Sequence, residues 1–153
     1  MTYLMVLARM RGDIAEAKSY VPQVQSTAWA GQMLNYASVA KATLAWIALR
    51  EGNLVEAREL GRTSLELMHG KGGHYSLEWL TLCPLVAVEV AERNIEQAIE
   101  YARSLLDPKQ MRLPDDLTLA LDAAIAAGEQ SDFDTAGAEL ERAVILAERL
   151  GFL

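Results

Sequence analysis

The sequence predicts an all-α chain, an α-solenoid of about four antiparallel helical hairpins. Three observations carry this. Ala, Leu and Glu dominate the composition, which favours helix. A short turn pattern recurs at Gly12-Asp13-Ile14, Gly52-Asn53-Leu54, Arg93-Asn94-Ile95 and Ser131-Asp132-Phe133, each followed three residues on by Ala17, Ala57, Ala98 or Ala136. The starts of these turns lie 40, 41 and 38 residues apart. A period near 40 with two helices per unit is the signature of a helical repeat.

The central unit is the plainest. Leu44, Ile47, Ala48 and Leu49 recur at helical spacing, as do Leu54, Ala57, Leu60, Leu65 and Leu67. Gly52 supplies the left-handed residue that ends the first helix. Asn53 caps the second, with Glu56 three residues later in the manner of a capping box. Ala45, Ala57, Gly61 and Ser64 are small, so the two helix backbones can approach closely.

The other elements follow in order. The first helix has only about eleven residues before Gly12 and lacks a preceding neighbour, so the chain reads as a fragment of a longer protein. The second helix, from Ile14 to about Thr27, contains Pro22, and a kink or early break is expected at Tyr20-Val21. Trp29 to Arg50 reads as one long helix and Leu54 to Met68 as its partner. His69-Gly-Lys-Gly-Gly-His74 is the clearest loop. Tyr75 to Glu92 makes the next first helix, kinked at Pro84, and Ile95 to Leu106 its partner. After the connection from Asp107 to Pro114, Asp115 and Asp116 occupy a first turn, where the helix dipole favours acids. That helix runs to about Gly128. The last helix, about Asp134 to Leu150, turns Leu140, Val144 and Ala147 inward and Glu139, Glu141, Arg142 and Glu148 outward. The chain is one domain with units at about 1–27, 28–68, 75–106 and 115–151.

Leu44, Ala45, Gly52, Asn53, Leu54, Ala57 and Ser64 together resemble the tetratricopeptide repeat family. The likeness is close at the turn. Ala48 and Gly61 stand where the family has aromatics, and His69 where it has its closing proline. A period of about 40 exceeds the family's typical ~34. Such elongated repeats are similar to those in large bacterial ATP-binding signalling regulators, where a repeat tail accompanies an ATPase and a cyclase or DNA-binding module. The resemblance implies a right-handed superhelix whose first helices line a concave groove.

Composition narrows the function. The net charge of −7 and a pI near 4.8 exclude a nucleic-acid or anionic-membrane surface as the expected partner. The single cysteine, Cys83, excludes an intramolecular disulfide and lies in an apolar run typical of a core residue. No signal peptide is evident at the start and no apolar run is long enough for a membrane span, so a cytoplasmic location is expected.

No catalytic apparatus is visible. His69-Gly-Lys-Gly-Gly-His74 lacks the strand before it and the Lys-Ser or Lys-Thr ending of a phosphate loop. Two histidines without cysteine or a carboxylate cluster make a poor metal site. No cofactor is expected. The remaining candidate is the groove that the resemblance implies. On the turn register it takes Arg9 and Met10, then Val39, Ala42, Trp46, Leu49 and Arg50, then Cys83 and Ala87. Trp and Arg are the residue types that most often anchor interfaces. Ala42 and Trp46 replace the Lys and Asn with which family members clamp a chaperone's terminal carboxylate. The expected function is non-catalytic protein or peptide binding, as a scaffold in a bacterial regulatory, transcription-linked or signalling protein. Two alternatives are a homodimer through the first helix and the Phe152-Leu153 tail, and a small-molecule sensor with a closed pocket around Trp46.

Overall fold

The computed structural model describes residues 1–31, 33–70 and 77–153. Those residues are all-α: eight helices and no strand. They are α1 (Thr2–Met10), α2 (Ile14–Ala30), α3 (Leu34–Arg50), α4 (Leu54–His69), α5 (Trp79–Ala91), α6 (Ile95–Leu105), α7 (Asp115–Glu129) and α8 (Phe133–Arg149). None is long and apolar enough to cross a membrane.

The recurring turn has one geometry at all four places. At the first, the Gly12 N–H donates to the Arg9 carbonyl and the Asp13 N–H to the Ala8 carbonyl. The same pair of bonds closes α3 onto Leu49 and Ala48, α5 onto Val90 and Glu89, and α7 onto Gly128 and Ala127. This is the Schellman closure, and it needs a left-handed residue. Gly12 (φ 72°) and Gly52 (φ 80°) take it freely, whereas Arg93 (φ 61°) and Ser131 (φ 60°) take it under strain. The next residue then caps the following helix: Asp13 accepts from the Glu16 N–H, Asn53 from that of Glu56, and Asp132 from that of Thr135.

Three boundaries differ from expectation. Helix α2 runs unbroken through Pro22, which is exposed, and ends at Ala30. Trp29 therefore belongs to α2, and the expected helix from Trp29 to Arg50 is divided. The Gly31 N–H closes α2 onto Thr27 and the Met33 N–H onto Ala28 before α3 starts. Helix α5 begins at Trp79, after a turn at Leu77-Glu78. The rest of the segment expected to lead into it, like most of the glycine-rich loop, lies outside the described residues.

Small residues set the spacing as expected. A Cβ on Gly61 of α4 would stand 2.7 Å from Leu85 Cδ2 of α5. Ser64 Oγ donates to the Ser38 carbonyl at 2.8 Å, so the 2.8 Å contact between Ser64 and Thr81 has Thr81 as donor. That chain ties α3, α4 and α5. Beside it Arg58 of α4 reaches Glu89 of α5, a fully buried carboxylate, with Nε at 2.8 Å and Nη2 at 3.1 Å. Asn94 Nδ2 adds a third bond to Glu89 at 2.9 Å.

Consecutive helices pack on one another, and α1 lies on α3 as α3 lies on α5. The last unit departs from this. There α8, rather than α7, lies against α5. Its inner residues Ala143, Val144 and Ala147 close over Cys83 and Val86, leaving only about 10 Å3 in the seam.

Candidate functional site

The residue three before each turn is Leu49 in α3 and Val90 in α5, but Arg9 in α1. Its apolar register sends the guanidinium inward, where Arg9 is wholly buried. Its central carbon sits 5.7 Å from the Trp46 ring centroid and 5.6 Å from that of Trp79. Nη1 donates to the Ala42 carbonyl at 3.4 Å and Nη2 to the Phe152 carbonyl at 3.3 Å, while Nε has no partner among the described residues. No carboxylate touches it among the described residues. Two ring faces and two long bonds to carbonyls are its whole compensation. Desolvation lowers the Arg9 pKa to about 9, opposed slightly by nearby Cys83. The same burial pushes the Cys83 thiol up to about 12, which makes it an inert core thiol.

The chain's own tail completes this centre. The Phe152 N–H closes α8 onto the Ala147 carbonyl and the Gly151 N–H onto that of Glu148. Gly151 has φ 80°, and a Cβ there would stand 2.6 Å from the Met10 carbonyl oxygen. Only glycine combines that backbone with that approach. The turn lays Phe152 edge-on against Trp79, with centroids 4.9 Å apart. Phe152 and Leu153 are both buried.

Of the nine residues assigned to a groove, Arg9, Val39, Ala42, Trp46, Cys83 and Ala87 are buried in the chain's own packing. Leu49 is half-buried, and Met10 and Arg50 are exposed. The structure brings Arg9, Ala42 and Trp46 together inside the fold. It covers Cys83 with α8. His69, at the end of α4, lies 3.1 Å from Glu78, and His74 lies outside the described residues.

An open cleft remains beside this centre. It holds about 520 Å3 and is lined by Thr2, Tyr3, Val6, Met10, Asn35, Tyr36, Leu77, Trp79 and Met111. Sequence reasoning missed Trp79, Tyr36 and Met111. Trp79 carried one legible signal, as the aromatic opening the most apolar helix of the chain. Its indole Nε1 is buried without a partner among the described residues, although Trp N–H groups inside proteins usually find one.

No protein-family model, curated protein or solved structure matches this chain.

Proposed function

We propose that the chain is a tetratricopeptide-like α-solenoid, its fourth hairpin folded back over α5, that acts as a non-catalytic protein-interaction scaffold. In this reading it serves a cytoplasmic bacterial regulatory protein, and its site is the cleft between α1, α3 and α5. The observation that supports this reading is Arg9. A buried cation with no carboxylate partner among the described residues stands behind the Trp79 wall, and its field passes through low-dielectric protein, where screening is weak. The cleft in front combines aromatic and methionine side chains with few polar atoms. An acidic-apolar segment of a partner protein suits both properties. Its apolar side chains would pack on Tyr36, Met10 and Met111, and its carboxylate would answer the cation. Helices already packed into the fold present this surface preformed, which keeps the ordering cost on the partner's side.

The test is selection of random twelve-residue peptides on the whole chain. Enrichment of sequences that pair acids with aliphatic or aromatic residues supports the reading, provided Met111→Glu and Tyr36→Ala abolish their binding. Enrichment of basic sequences, or binding indifferent to both substitutions, overturns it. One observation favours a second reading, a small-molecule effector site. The cleft volume falls within the usual range for ligand pockets.

A further inference from the structure

Helix α1 carries an apolar face left exposed by the described residues, separate from the cleft. Leu4 is 48% exposed and Leu7 51%. The shared turn geometry gives these residues counterparts. Counting back from each turn, Leu4 corresponds to Leu44 and Leu85, and Leu7 to Ile47 and Val88. In α3 and α5 those positions are covered by the helix before. Ile47 and Leu44 cluster with Ile14, Ala17 and Tyr20 of α2. Val88 clusters with Leu54, Ala57 and Leu60 of α4, and Leu85 meets Gly61. The face of α1 is thus built as a helix-packing face.

Charge identifies the occupant further. The residue just before the turn is Glu51 in α3 and Glu92 in α5. Each is met by a cation from the covering helix: Lys18 reaches Glu51 at 3.4 Å, and Arg58 reaches Glu92. In α1 the same position is Arg11, which turns to Glu16 of α2 and stays largely exposed. A helix arriving here with a basic residue, as α2 and α4 carry, would find an arginine where Glu51 and Glu92 receive that cation in the other units.

We propose that this face docks a helix of a partner protein that carries small residues in the spacing of Ala57, Gly61 and Ser64, with an acidic residue in the place of Arg58. The small residues seat Leu4 and Leu7 as Ala57 and Gly61 seat Val88 and Leu85. The acid pairs with Arg11.

The probe is a fluorescent peptide of residues 53–69 carrying Arg58→Glu, titrated with the whole chain and followed by anisotropy. It is expected to bind about tenfold more tightly than the same peptide with Arg58, because its acid gains Arg11 as a partner where Arg58 finds a like charge. Leu7→Asp abolishes binding. Arg11→Glu inverts the preference, so that the Arg58 peptide binds better. Both substituted positions are exposed, and an unchanged circular dichroism spectrum confirms folding. Met111→Glu, which damages the cleft, leaves this binding intact, so failure of one site is distinguishable from failure of the other. Equal binding of the two peptides, no binding of the Arg58→Glu peptide, or binding indifferent to Leu7→Asp overturns the proposal. So does a concentration-dependent dimer in sedimentation equilibrium that Leu7→Asp removes, since a second copy would then be the occupant.

Discussion

Replacing Arg9 by Met is expected to leave the chain as stable or to stabilise it, which is unusual for a fully buried position. Burial lowers the Arg9 pKa from 12.5 to about 9. At about 1.4 kcal/mol per unit, holding the cation inside costs on the order of 5 kcal/mol. Against this stand contacts to two indole rings at 5.7 and 5.6 Å, worth ~1–2 kcal/mol each. Two bonds at 3.4 and 3.3 Å are long, and together add about 1 kcal/mol. Methionine is of similar length, fills the space between Trp46 and Trp79, and has no charge to desolvate. The balance favours Met by about 0–2 kcal/mol, or a rise of up to ~8 °C in Tm for a chain of this size. Thermal unfolding of the two proteins at neutral pH measures it. Arg9→Ala is the control, and it loses ~2–4 kcal/mol through the cavity it leaves. A loss above ~1 kcal/mol in Arg9→Met would refute the reasoning. The rings and carbonyls would then outweigh desolvation, making Arg9 a structural residue and removing the physical basis for an acidic partner.

Other perturbations test the rest of the fold. Gly151→Ala is expected to cost ~2–4 kcal/mol, from left-handed backbone strain plus collision with the Met10 carbonyl. Tryptophan emission should shift red as Phe152 leaves Trp79, whereas Gly12→Ala, with open space around it, costs only ~1 kcal/mol. Ser131→Gly relieves a strained left-handed turn and should raise the urea midpoint, by about 0.5–1 kcal/mol; an unchanged midpoint would contradict the φ of 60°. Glu89→Ala removes the carboxylate that accepts from Arg58 and Asn94, and is expected to cost ~3–5 kcal/mol in the same assay. The Asp132 carboxylate is held below its usual 3.8 by its bonds to Thr135. Its contribution is full above that value and is lost as pH falls through the lowered pKa. Asp132→Ala should therefore lower Tm at neutral pH, and the gap to the native chain should close in strong acid.

What was legible in the sequence was local. A turn specified by a left-handed residue, a cap and an alanine three residues on is written within six consecutive residues. It was therefore readable at 12, 52, 93 and 131 alike, even where Arg93 and Ser131 replace glycine. Helix lengths were readable where such a turn bounded them. They were misplaced where the bounding signal was weaker, as at Gly31, which ends α2 without a positive φ. The fate of Pro22 was also beyond local reading. Its ring clashes only with its own helix, and whether the helix breaks depends on the packing of Ala17, Val21 and Val24 on either side of it, all of which are buried.

The site was half legible for a different reason. Closure of α8 over α5 joins residues some sixty positions apart, and no spacing in the sequence encodes which of two helices will lie on a third. The return of Phe152 to Trp79 spans more than seventy positions, although Gly151 followed by two large apolar residues is a readable sign that a helix ends in a buried tail. Arg9 was assigned to the groove, but the register carries a further signal at that position. The positions three before the turn are Leu49 and Val90 in the neighbouring units, and an arginine in that register contradicts the pattern around it. Burying it is costly when a methionine would fit. On the proposed reading, a buried arginine that breaks the local rule with no carboxylate beside it among the described residues is where stability is given up for a partner. That argument points at the cleft in front of Trp79, not at the covered groove behind it.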